Sequence, residues 1–216
     1  MTENLKYELL DILNMELGTC SLSIESGFRN FIELIDKNKL VQKEEIVRTK
    51  IKTGDLLRLG LEELGRKYNK TQREILIAAI TYGARNINRI WGEIIKNIYR
   101  KRDVLYKFLV NCKDKTSYEW ILANRILESL KVYVNNMQNI KAISLYCFRR
   151  DYEYLGGVAR ALGSDFSCIA RLAIYITLDA EHLLIPDGVI DAFNNSVKVM
   201  NDLLDYVISE VGLNES

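Results

Sequence analysis

Residues 61–80, LEELGRKYNKTQREILIAAI, leave little room for anything but a helix, a tight turn and a second helix. Leu61, Leu64 and Tyr68 recur at i, i+3 and i+7, which sets three apolar groups on one helical face. Asn69 then interrupts the pattern, and asparagine is among the few residues that tolerate a left-handed backbone. Thr71 stands where a cap is needed, and Glu74 completes a T-x-x-E capping box before an apolar run. Ile75, Leu76, Ala79 and Ile80 supply the buried face of that second helix.

The same grammar returns 94 residues later, in LGGVARALGSDFSCIARLAI at residues 155–174. Laid over the first stretch without a gap, Leu61, Arg66, Ile75, Ala79 and Ile80 fall on Leu155, Arg160, Ile169, Ala173 and Ile174. Gly163 takes the turn position of Asn69, and Ser164 or Asp165 serves as the cap. The two stretches are expected to be an internal repeat.

Two runs of alternating character precede these helix pairs. In EIVRTKIKT, residues 45–53, Val47, Thr49 and Ile51 alternate with Arg48, Lys50 and Lys52. A two-residue period rich in Val, Thr and Ile points to a strand with one apolar and one cationic face. The competing assignment is the tail of a polar helix. In NIKAISLYCF, residues 139–148, Ile143, Leu145 and Cys147 lie on one side, and Ala142, Ser144, Tyr146 and Phe148 on the other.

Elsewhere the period is helical. Residues 1–43 form an N-terminal helical segment: a helix over 2–17, a break at 18–23, and a second helix over 25–36 burying Phe28, Phe31, Ile32 and Ile35. The first strand–helix–helix unit spans 44–84, and its last helix is expected to run on past Ile80 through Tyr82 and Ile87. Residues 85–138 are expected to be a helical hairpin, with Ile90, Ile94, Ile98, Leu105 and Leu109 inward on its first arm. Its second arm, Ser117 to Met137, would turn Trp120, Ile121, Ile126, Leu130 and Val134 inward. Arg100, Lys101 and Arg102 are expected on a solvated face. The second strand–helix–helix unit spans 139–180. In 181–216, after a stop at Pro186-Asp187-Gly188, a C-terminal helix buries Phe193, Val197, Met200, Leu204 and Val207. The expected fold class is therefore mainly α, a helical bundle with at most one short two-stranded antiparallel ribbon.

With 48% hydrophobic and 27% charged residues, a chain of 216 can bury a sizeable core, and the balance argues against disorder. The net charge of +1 gives no long-range pull toward nucleic acid or membrane, so any such contact must come from a local patch. Abundant Ile, Lys, Glu and Tyr resemble the usage of hot-growing organisms, a bias that low-GC coding also produces. No stretch nears the ~18 apolar residues of a membrane span, and the N-terminus has no apolar signal core, so a cytoplasmic protein with no membrane partner is expected. Cys20, Cys112, Cys147 and Cys168 are scattered and read as small buried hydrophobes, with a disulfide left open for a hyperthermophilic source. His182, the sole histidine, has only Asp179 at helical spacing; a half-buried structural residue is expected, and neither a metal nor a cofactor. Gly156-Gly157 lacks the rest of a phosphate loop, and no nucleophile–base–acid set can be picked out, so no enzyme is expected.

A strand followed by a helix, a tight turn and a capped second helix resembles the ribbon-helix-helix family of DNA-binding proteins. The likeness rests on Val47 to Lys52, then Leu61, Leu64, Tyr68, Asn69, Thr71, Glu74, Ile75, Ala79 and Ile80. In the second copy it rests on Ile143 to Phe148, then Leu155, Val158, Ala159, Leu162, Gly163, Ser167, Ile169, Arg171, Ala173 and Ile174. Together these copies cover under half of the chain. In that family two ribbons pair antiparallel and enter the major groove, where outward side chains read base edges. The start of the second helix grips phosphate. The resemblance implies that Arg48, Lys50 and Lys52 face bases, with Lys70, Thr71 and Ser167 near phosphates. It also sets Ser144 and Tyr146 on the outer face of the second ribbon, with Arg149 and Arg150 at its end.

Family members draw the two ribbons from two chains, whereas here both copies would pair within one. The second ribbon departs from the family in having no cationic outer face, and the first copy carries about one extra residue between ribbon and helix. The function so implied is a sequence-specific double-stranded DNA-binding transcriptional regulator, self-associating as a homodimer or meeting a helical protein partner. Two alternatives stay open: an all-helical protein-protein interaction or assembly module, and an RNA or single-strand binder using Tyr and Arg groups such as Tyr99 to Arg102.

Overall fold

Alternation prevails over residues 46–53. The computed structural model describes residues 27–36, 45–132 and 140–213, and the side chains of 34–36 lie outside that description. The expected helix over 2–17, Val134 and Met137 therefore fall outside the described residues, as does the Ile35 side chain. In chain order the elements are α1 (Phe28–Asp36), β1 (Ile46–Thr53), α2 (Asp55–Tyr68), α3 (Gln72–Asn111), α4 (Tyr118–Ser129), β2 (Lys141–Phe148), α5 (Arg149–Ala161), α6 (Phe166–Ala180) and α7 (Val189–Glu210). Among the described residues the fold is mainly helical with one two-stranded antiparallel sheet, and the strand expected within 45–53 forms in place of the competing polar helix. β1 and β2 pair along their whole length, from Ile46 opposite Phe148 to Thr53 opposite Lys141.

The two strand–helix–turn–helix units close their turns in the same way. Asn69 adopts the left-handed conformation at φ 53°, and Lys70 N–H donates to the Gly65 carbonyl at 2.9 Å. Gly163 does so at φ 63°, and Ser164 N–H donates to the Ala159 carbonyl at 2.8 Å. These bonds recapture carbonyls orphaned at a helix C-terminus. Thr71 and Glu74 form the full capping box at the start of α3, and Asp165 rather than Ser164 caps α6 through the Cys168 N–H. Both pairs of helix starts, Asp55 with Arg149 and Gln72 with Phe166, stand 94 residues apart.

The core lies where α3 and α6 cross. Ile75, Leu76, Ala79, Ile80, Ala84 and Ile87 of α3 are buried against Ile169, Leu172, Ala173, Ile174 and Leu178 of α6. Gly83 makes the close approach: a Cβ there would lie 2.1 Å from the Ala173 carbonyl oxygen. Four residues earlier on α3, the Ala79 carbonyl accepts a buried bond from the Thr177 hydroxyl at 2.9 Å. α1 covers one end, with Phe28 and Phe31 edge-on to Tyr82 at 5.8 and 5.3 Å. α7 lies along the distal half of α3, where Trp91 packs on Phe193 at 5.0 Å and donates to Asn194 at 3.0 Å. Phe193, Val197, Met200, Leu204 and Val207 are all buried, as the period of that helix implies.

Several expectations need correction. α3 runs on past Ile80 through Tyr82 and Ile87, as expected, and continues unbroken to Asn111. Its buried stripe there is Ile87, Trp91, Ile95 and Ile98, so Ile90 sits one position off the stripe and is exposed. α4 begins at the expected Ser117 cap but ends at Ser129, not Met137. The cause is tertiary: the Arg102 guanidinium donates to the Leu130 carbonyl at 3.0 Å, and Val132 N–H donates to the Leu162 carbonyl at 3.3 Å. Val132 in turn accepts from the Ser164 hydroxyl at 2.7 Å. That stretch is thereby held in extended form against the α5–α6 turn, and Ile121 faces solvent rather than the core. Cys112, Cys147 and Cys168 form no disulfide with one another, with Cys147 and Cys168 buried and Cys112 only partly so. Among the described residues no single helix is long and apolar enough to cross a membrane; the bent pair α5–α6 passes on composition, but Cys168 to Leu178 are buried within the fold.

Candidate nucleic-acid interface

The ribbon sends alternate side chains to its two faces. Ile51, Leu145 and Cys147 point into the core and are buried, with Val47, Thr49 and Ile143 half-buried beside them. Arg48, Lys50 and Lys52 point to solvent and are exposed. Opposite them in register stand Tyr146, Ser144 and Ala142, so the outer face carries three cations and no carboxylate. Phe148, expected on this face, is buried: β2 hands over to α5 at Arg149 without a linker, and the last strand residue turns over the core.

The Arg48 end of this face is organised by Tyr146. The Arg48 guanidinium lies 5.7 Å from the centre of the Tyr146 ring and donates to the Ser144 hydroxyl at 3.2 Å. A second guanidinium, that of Arg73 in the first turn of α3, lies 5.5 Å from the same ring. Each such contact contributes about 0.5–1 kcal/mol at an exposed site and, more to the point, fixes where the charge is presented. Arg73 was missed by sequence reasoning. Its signal was its place two residues after the Thr71 cap, at the helix start that the family brings to phosphate.

The ribbon is held from behind. Buried Arg171 of α6 donates to the Lys52 carbonyl at 3.0 Å. At the opposite end, Arg149 forms a two-pronged ion pair with Glu45 and reaches Glu153 at 3.8 Å. The hydrogen bond from Arg149, with its nearby charge, holds the Glu45 carboxyl below the usual glutamate range. Glu45 raises Arg149 in return. Arg149 at the end of the ribbon is therefore already paired, and Arg150 beside it is half-buried rather than displayed.

The residues expected near phosphate are spread more widely. Thr71 is exposed, but its hydroxyl serves the capping box: it donates to the Glu74 carboxylate at 2.6 Å and accepts from the Glu74 N–H at 3.3 Å. Lys70 is half-buried and lines an open cleft of about 680 Å³ with Arg66, Gln72 and Glu62. Ser167 is half-buried at the second position of α6, where Asp165 takes the Cys168 N–H at 2.9 Å. The positive ends of both second helices thus already face their own carboxylates, which weakens any anion site built on helix dipole alone.

Of the 100–102 cluster, Arg100 is exposed as expected, but the other two cations are not on a solvated face. Lys101 is buried and pairs with Asp205 and, at 2.9 Å, with Asn201, tying α3 to α7. Arg102 is spent on Leu130, and burial lowers its pKa. His182 is exposed rather than half-buried, in a turn at φ 57°, and no group of three metal-ligating side chains occurs among the described residues. No family model matches the chain, and neither does any curated protein or solved structure.

Proposed function

We propose that this chain is a sequence-specific double-stranded DNA-binding protein of the ribbon-helix-helix kind, a non-catalytic transcriptional regulator whose two repeated units supply both strands of one ribbon. The observation that carries it is the outer face of that ribbon. Two strands from distant parts of the chain meet antiparallel and show Arg48, Lys50 and Lys52 to solvent with no acid among them. A two-stranded ribbon fits the B-DNA major groove, about 12 Å wide. Arg and Lys on it meet the N7 and O6 acceptors of guanine, while Ser144 and Tyr146 offer hydroxyls to either kind of base edge. The shared 94-residue spacing of helix starts, left-handed turns and caps supports reading the two units as an internal repeat. Arg73 joins Lys70 as a cation proposed for flanking phosphate, and a cytoplasmic location suits the role.

The test is fluorescence anisotropy on duplex DNA over a salt series, with wild type beside the Arg48→Ala/Lys50→Ala/Lys52→Ala variant. Each phosphate neutralised contributes about −0.9 to the slope of log affinity against log salt. The triple variant is expected to lose at least tenfold in affinity and to flatten that slope. Equal affinity of the two proteins would remove the ribbon from the interface.

One observation favours a second reading, the protein-interaction module. Val199 and Tyr206 of α7 are exposed, seven residues apart, on the side away from its buried stripe. Absence of duplex binding even at low salt would favour a partner at that helix.

A further inference from the structure

The two halves of the ribbon are not alike. A gapless shift of 94 residues carries Arg48 to Ala142, Lys50 to Ser144 and Lys52 to Tyr146. Lys50 and Ser144 are also directly opposite each other, so the approximate two-fold axis relating the units passes through that pair. On one side of the axis the outer face is Arg48 with Tyr146; on the other it is Lys52 with Ala142. A ribbon of identical strands would present the same pair twice and match a palindrome, because operator symmetry mirrors protein symmetry. This one presents a guanidinium steadied on an aromatic ring at one end, and a flexible ammonium beside a methyl group at the other.

We infer that the DNA site of this protein is directional: a non-palindromic duplex carrying guanine at the end met by Arg48 and thymine at the end met by Ala142. The inference rests on the DNA-binding reading above. The chemistry of the side chains sets the polarity. Arg forms a planar fork that takes guanine N7 and O6 together, while Lys is a point charge with no such geometry. Ala meets the thymine C5-methyl by apolar contact. Arg73 stands beside the Arg48 end only; the residue 94 positions on is Ser167, which carries no charge.

The experiment selects bound sequences from duplexes randomised over about one helical turn, about 10 base pairs, a window too short to hold two ribbons. Wild type, Arg48→Ala and Arg48→Lys are compared; Arg48 is exposed, and far-ultraviolet circular dichroism checks that each variant folds. Wild type is expected to enrich a motif without dyad symmetry, with about ten- to a hundredfold preference for guanine at one end. Arg48→Ala should lose that preference and keep the thymine end, and Arg48→Lys should weaken the preference, lowering affinity for the guanine-bearing duplex less than Arg48→Ala does. A palindromic wild-type motif, or a guanine preference that survives Arg48→Ala, overturns the directional site while leaving DNA binding intact. Failure of wild type to enrich any sequence or to retain DNA at low salt overturns the DNA-binding reading, and this inference with it.

Discussion

Gly83→Ala should destabilise this protein even though alanine is the better helix former. Gly83 lies inside the unbroken α3, where alanine gains about 1 kcal/mol in propensity. Against that gain stands the crossing with α6. The new methyl carbon would lie 2.1 Å from the carbonyl oxygen of Ala173 and 2.5 Å from its carbonyl carbon and Cα, all backbone atoms that cannot rotate aside. Relief requires the helices to part by about 1.3 Å, since carbon contacts are repulsive below roughly 3.4 Å. Overpacking of this kind costs about 1–3 kcal/mol, and a rigid neighbour favours the upper end. Parting the helices also weakens the buried Thr177–Ala79 bond, worth about 1 kcal/mol net. The balance is a loss of about 2–3 kcal/mol, or about 4–12 °C in Tm at this chain length. Urea unfolding followed by circular dichroism would read it as a lower midpoint at unchanged slope. Gly156→Ala is the matched control: it lies inside α5 with no atom within 4 Å of the added carbon, so a gain of about 0.5–1 kcal/mol is expected. A Gly83→Ala protein as stable as wild type would refute the close crossing of α3 and α6.

Three further outcomes are expected. Thr71→Ala removes the side-chain acceptor of the α3 capping box and should cost about 1 kcal/mol by denaturant titration; no loss would mean the box is not formed in solution. Burial, with the Asp151 charge as a smaller cause, pushes the Cys147 thiol up to about 12. In the folded protein it should therefore resist iodoacetamide at pH 8 while the partly exposed Cys112 reacts; mass spectrometry showing equal labelling would contradict that. Glu45 is held below its ordinary range by Arg149, so the pair's contribution is present above the unfolded value of about 4.3 and fades as pH falls through the lower folded value. The difference in Tm between wild type and Glu45→Gln should accordingly shrink on going from pH 6 toward pH 3, and a constant difference would count against the pairing.

What the sequence made legible was local. Asn69 and Gly163 announced left-handed turns because few residues take that backbone, and Thr71 with Glu74 announced a helix start by chemistry confined to four residues. The two-residue period of Val47 to Lys52 separated the cationic from the apolar face, and the shared spacing suggested that two strands would meet. What stayed hidden depends on contacts across the chain. The end of α4 is set by Arg102 and Ser164, which lie on other elements. Arg149 was read as an open cation because nothing local reveals Glu45 as its partner. Arg73 had a local signal in its place after the Thr71 cap, but its contact with Tyr146 exists only in the folded ribbon. Phe148 kept strand parity in the sequence, yet the abrupt start of α5 buries it.

The most direct test of a DNA-reading ribbon is to map backbone amide shifts of the isotopically labelled protein as an oligonucleotide duplex is titrated in at low salt. The expected shifts concentrate on Ile46–Thr53, on Lys141–Phe148 and around Arg73 in the first turn of α3, leaving α7 unmoved. Shifts centred on Val199 and Tyr206 of α7, or none on the ribbon at saturating duplex, would contradict it.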